Sequence, residues 1–213
     1  MPYGFLDILA TPSVQAAQRD NGSRRQWEEF SGDRISDRFT ENEAAFIAAR
    51  DSFYLASISE SGWPYVQHRG GPVGFVKILE DKTLGFADFR GNRQYVSLGN
   101  IAADNRVALI LMDYPNRARL KILGRLAAHD LTKDPDLAER LRDPGYRGAI
   151  ERGLLLTLEA FDWNCPQHIT PRYTPAEIAP SVAPFHQRIA ALEAENKALR
   201  ERLAPFEANT SSG

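Results

Sequence analysis

The chain has 213 residues, 43% of them hydrophobic and 25% charged, with a formal net charge of -2. That balance excludes disorder throughout and suits one well-buried domain with extensions. There is no clustered excess of Lys and Arg to replace counterions, so neither nucleic acid nor an anionic membrane is an expected partner, and the longest aliphatic run, residues 107–112, is far too short to cross a bilayer.

The opening MPYGFLDILATPS has no basic stretch ahead of a long apolar core, so no secretory signal is expected. One cysteine cannot form an internal disulfide, which fits a cytoplasmic protein. Thr11-Pro12 reads as a helix cap with proline in the first turn, and the helix runs to about Asn21-Gly22. Trp27 and Phe30 are apolar residues expected to cap the domain that follows. Thr40 with Glu43 forms a capping box, and Ala44, Phe46 and Ile47 supply the apolar side of a helix ending near Asp51.

From Phe53 the period changes to two. The segments FYLASIS, YVQHR, VGFVKIL and TLGFADF read as strands, joined by the turns ESGWP and EDK. A helix over residues 92–104 precedes RVALILMD and ARLKILGRLAAHD, two strands linked by the turn YPNR. A charged helix over residues 136–142 leads to a last strand, LLLTLEAFD. Six or seven strands with short turns and one inserted helix predict a mainly β (α+β) fold, an antiparallel split barrel with peripheral helices.

After Cys165 the prolines at 166, 171, 175, 180 and 184 are expected to break regular structure. The predicted organisation is an N-terminal extension (1–39), a barrel domain (40–173), a proline-rich linker (174–184) and a C-terminal helix (185–206). That helix places Phe185, Ile189, Leu192, Asn196, Leu199, Leu203 and Phe206 at steps of three and four. With Ile189, Asn196 and Leu203 at a, the d positions are Leu192 and Leu199, and Arg188 and Glu195 at g face Glu193 and Arg200 at e of a parallel partner. A polar a residue with complementary flanking charges predicts a coiled coil between two copies, a homodimer.

Four features carry the candidate chemistry. The run Asn164-Cys165-Pro166-Gln167-His168 holds the single cysteine; with no second cysteine and no paired histidine spacing it is not a metal site, and its amides and imidazole suit the polar edge of a heterocycle. Arg69 ends a strand before Gly70 and Gly71, whose bare backbone would admit a flat ring or a phosphate. Arg90 to Gln94 close another strand where a helix begins, and arginine forks together with helix N-terminal amides suit a phosphate dianion. Arg117, Arg119 and Lys121 alternate onto one strand face.

The segments YLASISESGWPYVQHR and FADFRGNRQYVSLGNIAADNRVALIL, with NCPQHI, resemble the pyridoxamine 5'-phosphate oxidase-related family of FMN-binding split barrels over about residues 40–173. The resemblance implies a homodimer binding FMN in clefts at the subunit interface. By position it places Gln67, His68 and Arg69 along the flavin, and Asp88, Arg93 and Gln94 at the phosphate. Arg119 falls on the flavin from a later strand, and Asn164, Gln167 and His168 cover the ring. It implies an FMN-dependent oxidoreductase passing hydride between flavin and a small organic or nicotinamide donor, with Arg69 or Arg119 stabilising charge on the reduced ring. The vitamin-forming enzyme carries a lysine where glycines follow Arg69 here, and its C-terminal substrate segment is missing, so pyridoxamine phosphate is not the expected substrate. The alternatives are a flavin- or haem-binding carrier or sensor without turnover, with His68 or His168 as the axial iron ligand to examine, and an interaction module centred on the coiled coil.

Overall fold

A computed structural model describes residues 4–29, 36–163 and 166–210, and the chain divides into two units, Met1–Ile169 and Thr170–Gly213. The first unit opens with three short helices, α1 (Phe5–Leu9), α2 (Pro12–Asp20) and α3 (Arg24–Glu28). The predicted cap is present: Thr11 Oγ1 accepts from the Val14 amide, and Asn21 closes α2. Neither α1 nor α3 is evident from periodicity, because each is a single turn and a half. Phe30 lies outside the described residues, and Trp27 lines a cavity of about 440 Å³ with Phe5, Ser36 and Phe161.

Helix α4 (Glu41–Ala48) carries the predicted capping box, in which Thr40 N and Oγ1 donate to Glu43 Oε2 at 3.0 and 2.5 Å. The carboxylate does a second job. Glu43 is buried, and its Oε1 accepts from Trp163 Nε1 at 2.7 Å, joining the start of α4 to the last strand. Beyond the helix, Arg50 Nη2 pairs with Asp113 Oδ2 at 2.8 Å, tying the other end to the sheet.

Among the described residues seven strands follow: β1 (Ser52–Ile58), β2 (Pro64–Gly70), β3 (Lys77–Glu80), β4 (Thr83–Phe89), β5 (Arg106–Asp113), β6 (Ala118–His129) and β7 (Ile150–Trp163). Helix α5 (Val96–Ala103) sits between β4 and β5, and α6 (Pro135–Leu141) between β6 and β7. The spatial order is β2-β1-β5-β6-β7-β4-β3, every pair antiparallel. The fold is the expected split barrel. Phe53, Leu55, Leu109, Leu111, Leu120, Ile122, Leu154, Leu156 and Phe86 fill its interior, and Ile47 and Ile101 from α4 and α5 close over them.

Two boundaries around the site differ from the sequence reading. The segment 73–79 is a strand only from Lys77, because Gly74 turns at φ +78° and the Phe75 amide donates to the Pro72 carbonyl within that turn at 3.0 Å. Gly71 is small for packing reasons: a Cβ there would lie 2.7 Å from the Phe75 ring. Helix α5 starts at Val96 rather than residue 92, since Arg93 and Tyr95 take left-handed φ values of 61° and 54°.

The described residues of the second unit form one helix, α7 (Pro175–Thr210). Residues 175–184, read from their prolines as a linker, are its first turns. Thr174 and Glu177 form a capping box there, with Thr174 N donating to Glu177 Oε2 at 2.7 Å. Pro175 occupies the first helical position, where its missing N–H costs nothing. Pro180 and Pro184 each remove one backbone bond without a change in φ that a helix forbids. Among the described residues no helix is long and apolar enough to cross a membrane.

Candidate functional site

The alternation of β2 sorts its side chains. Register with β1 pairs Arg69 with Phe53 and Gln67 with Leu55, so both project to the inner side, while His68 pairs with Tyr54 on the outer side. Strand β2 is an edge strand with one ladder partner, which leaves its inner side chains free to reach across the mouth of the barrel.

Two hydrogen bonds fix α5 opposite that edge. Ser97 Oγ donates to Gln67 Oε1 at 2.6 Å, and Asn100 Nδ2 donates to Ser57 Oγ at 2.9 Å in a buried pair. They hold the loop of residues 90–95 beside Arg69. The N-cap residue, Tyr95, supplies no side-chain bond to the first turn of α5, so those amides have no internal cap.

The result is a recess of about 230 Å³ lined by Tyr65, Gln67, Arg69, Asp88, Gly91, Asn92, Arg93, Gln94, Tyr95, Ser97 and Glu151. At its floor Arg69 Nη1 bonds Asp88 Oδ1, and Arg152 Nη1 donates to Asp88 Oδ2 at 2.9 Å. Asp88 is thus shared between two guanidinium groups. Tyr95 OH donates to Glu151 Oε1 at 3.1 Å, Arg93 Nε donates to Tyr95 OH at 3.2 Å, and Arg90 Nε reaches Glu151 at 3.2 Å. Burial pushes the Glu151 carboxyl up, but the Tyr95 hydroxyl, Arg90 and Arg152 outweigh it and hold the group below its ordinary value. The hydrogen bond to Tyr95, followed by the nearby negative charge, holds Arg93 above its own ordinary value.

Arg69 and Arg93 line the recess with Asp88 and Glu151, and Arg90 and Arg152 pair with the same two carboxylates from beside it, so the cluster as a whole carries an excess of two positive charges. Arg69 Nε is buried with no protein partner. A buried donor without an acceptor is costly, and an excess of two positive charges beside uncapped helix amides matches a phosphate dianion in sign and amount.

Of the residues expected from sequence, Gln67, Arg69, Asp88, Arg93 and Gln94 therefore gather in one recess. The others do not. His68 lies on the opposite face of β2, edge-on to Tyr54 at 5.5 Å. Arg119 pairs with Met112 and neighbours the fully buried Leu120, so it too is on the outer face, with its Nε buried and unpartnered. Lys121 shares that face and pairs with Asp162 at 2.7 Å, whereas Arg117 sits in the turn at φ 52°. Gln167 and His168 are exposed beyond β7. Asn164 and Cys165 lie outside the described residues. Among those described, no three His, Cys, Asp or Glu side chains gather as metal ligands.

Arg152, Glu151 and Tyr95 were not legible as site residues. The apolar strand signal begins only at Leu154, and Glu151-Arg152-Gly153 carries none. A bulge explains how two consecutive residues serve one site: Asp88 pairs with Arg152 but Phe89 with Ile150, leaving Glu151 as the extra residue. Polar residues directly before an apolar strand were the only signal.

Residues 39–151 match the model of the family described as pyridoxamine 5'-phosphate oxidase. No curated protein matches the chain. Among solved structures, HupZ of group A Streptococcus is 12% identical, with 63% of this chain and 99% of that chain covered at a TM-score of 0.46. An FMN-binding protein from Syntrophomonas wolfei is 14% identical over 72% of this chain and 95% of that one, TM-score 0.45. A candidate pyridoxamine 5'-phosphate oxidase from Lactobacillus delbrueckii is 20% identical over 59% and 94%, TM-score 0.44.

Proposed function

This chain belongs to the pyridoxamine 5'-phosphate oxidase family, and from that premise we propose that it is an FMN-dependent oxidoreductase acting between flavin and a small organic or nicotinamide donor. The observation that carries the reading is the recess at Arg69: a buried, unpartnered guanidinium nitrogen beside an ion-pair cluster that is two charges positive once Arg90 and Arg152 are counted.

The residues present fit the cofactor's phosphate. Arg93 and Gln94 would hold it from the loop, the first-turn amides of α5 would donate from the helix, and Arg69 would supply its free Nε. Asp88 and Arg152 keep Arg69 extended across the barrel mouth, and the Ser97 bond sets the Gln67 amide so that its NH₂ group remains free for a polar edge. FMN, when bound, supplies hydride or electron exchange at its ring. The recess holds about 230 Å³, room for a phosphate and part of its chain rather than a whole tricyclic ring. The ring would then extend beyond it, past the edge strand β2, and a second copy docked along that edge would supply the remaining wall. The exposure of Tyr54, Ile58, Trp63 and Val66 in the β1–β2 hairpin supports such a homodimer.

The test is an FMN titration followed by flavin fluorescence quenching, repeated with free riboflavin. Tight FMN binding with much weaker riboflavin binding is expected, because only the former carries phosphate. Equal affinity would remove the recess from the reading. Oxidation of reduced nicotinamide by the FMN-loaded protein then separates an enzyme from a carrier.

A further inference from the structure

We infer that α7 pairs with α7 of a second copy of this chain as a parallel, in-register, two-stranded coiled coil. The helix is longer than its prolines suggest, running unbroken from Pro175, and the added turns continue the seam: Ile178 falls at d and Val182 at a, ahead of Phe185, Ile189 and Leu192. The apolar repeat thus spans almost four heptads up to Leu203. Apart from half-buried Val182, its apolar residues are open to solvent, with Phe185 exposed to 68%, Ile189 to 52% and Leu203 to 55%. A continuous apolar stripe at this spacing on an exposed helix requires a partner.

Two features identify the occupant as the same helix. In parallel register Arg188 at g faces Glu193 at e of the other copy, and Glu195 faces Arg200, so each helix carries both halves of its own charge complement. Asn196, polar at an a position, meets its own copy only when the helices are parallel and in register, where the two amides satisfy each other.

The prolines supply an independent observation. Pro180 falls at f and Pro184 at c, the positions facing away from the seam. Carbonyls on the outer side of a curved helix tilt toward water, so the bonds these prolines remove are lost where solvent can replace them. Lys197 and Glu201 also pair on that outer side, at 4.0 Å. Proline has been excluded from the a, d, e and g positions past the first turn, as a pairing surface requires.

The experiment is disulfide trapping in the full chain, with Cys165→Ser removing the one native thiol. Leu199→Cys, at d, should form a crosslinked dimer under mild oxidation with a yield several-fold above Ala194→Cys at the outward f position. Adding Glu195→Arg to Leu199→Cys should cut that yield several-fold, and adding Arg200→Glu as well should restore it. Equal trapping at 194 and 199, or no trapping at 199 because the helix docks on its own barrel, overturns the inference. So does failure of Arg200→Glu to rescue Glu195→Arg, which would exclude the parallel register. A barrel-mediated dimer alone does not reproduce this pattern, so the test is independent of the flavin reading.

Discussion

Arg69 on β2 and Asp88 on β4 form an ion pair between two strands that share no ladder. It closes the open side of the barrel at the point where the recess begins. Asp88 also holds Arg152, so its removal leaves two partly buried guanidinium groups facing each other. Asp88→Asn is expected to lower stability by about 2–3 kcal/mol, less than for a fully buried pair because the arginines retain some solvent. Urea unfolding at neutral pH checks this; a midpoint within error of the parent protein means the pair is screened.

Arg93 combines a cation with a left-handed backbone, and the two can be separated. Arg93→Ala removes the guanidinium and strains φ, whereas Arg93→Gly removes it and keeps the conformation. Both should weaken FMN roughly ten- to a hundredfold, the range for one charge-assisted contact. If the glycine variant keeps full affinity, the loop amides rather than the guanidinium hold the phosphate.

Glu43 joins a helix cap to the last strand, and its titration sets an acid limit. Burial raises this carboxyl, but bonds from Thr40, Trp163 and Asn42 outweigh it, so the folded value lies below the ordinary 4.5. Asp113 is likewise lowered from 3.8, burial being outweighed by Asn116 and Arg50. For a depressed carboxylate the unfolded chain takes up the proton first. The stabilisation is therefore fully present above the unfolded values and is lost as pH falls through the folded ones. Thermal unfolding should show a plateau above about pH 5 and a decline below it, and Glu43→Gln should make the decline shallower. Glu43→Ala, which strands the Trp163 N–H, should cost about 2 kcal/mol at neutral pH.

Gly71 and Gly91 make a matched pair of tests for the role of glycine near the recess. A Cβ at Gly71 would strike Phe75 at 2.7 Å, while nothing lies within 4 Å of one at Gly91. Gly71→Ala should destabilise the barrel by about 1–3 kcal/mol, and Gly91→Ala should change stability by no more than about 0.5 kcal/mol. Calorimetric melting distinguishes them, and equal losses would contradict the packing account.

Much of the barrel was readable because its code is local. A Thr40–Glu43 box is complete within four residues, and RVALILMD alternates so that Val107, Leu109 and Leu111 all enter the core. Where two neighbouring residues share an environment the code fails. Phe75 and Val76 are both buried and read as strand without being one; Glu151 and Arg152 both serve the recess and carry no strand signal. In α7 the error ran the other way, since proline counts as a breaker until its position relative to the seam is known.

For this protein the sequence by itself determined the strand period, the helix caps and the gathering of cations at strand ends, because each depends on residues close along the chain. The family resemblance marked Gln67, His68 and Arg69 as one group. Only the tertiary structure divided them, turning Arg69 and Gln67 toward Asp88 and Ser97 and His68 toward Tyr54 on the other face. The physical reason is that a pleat assigns neighbours to opposite sides, while which side meets the α5 loop depends on how far the sheet curls, a property of all seven strands together.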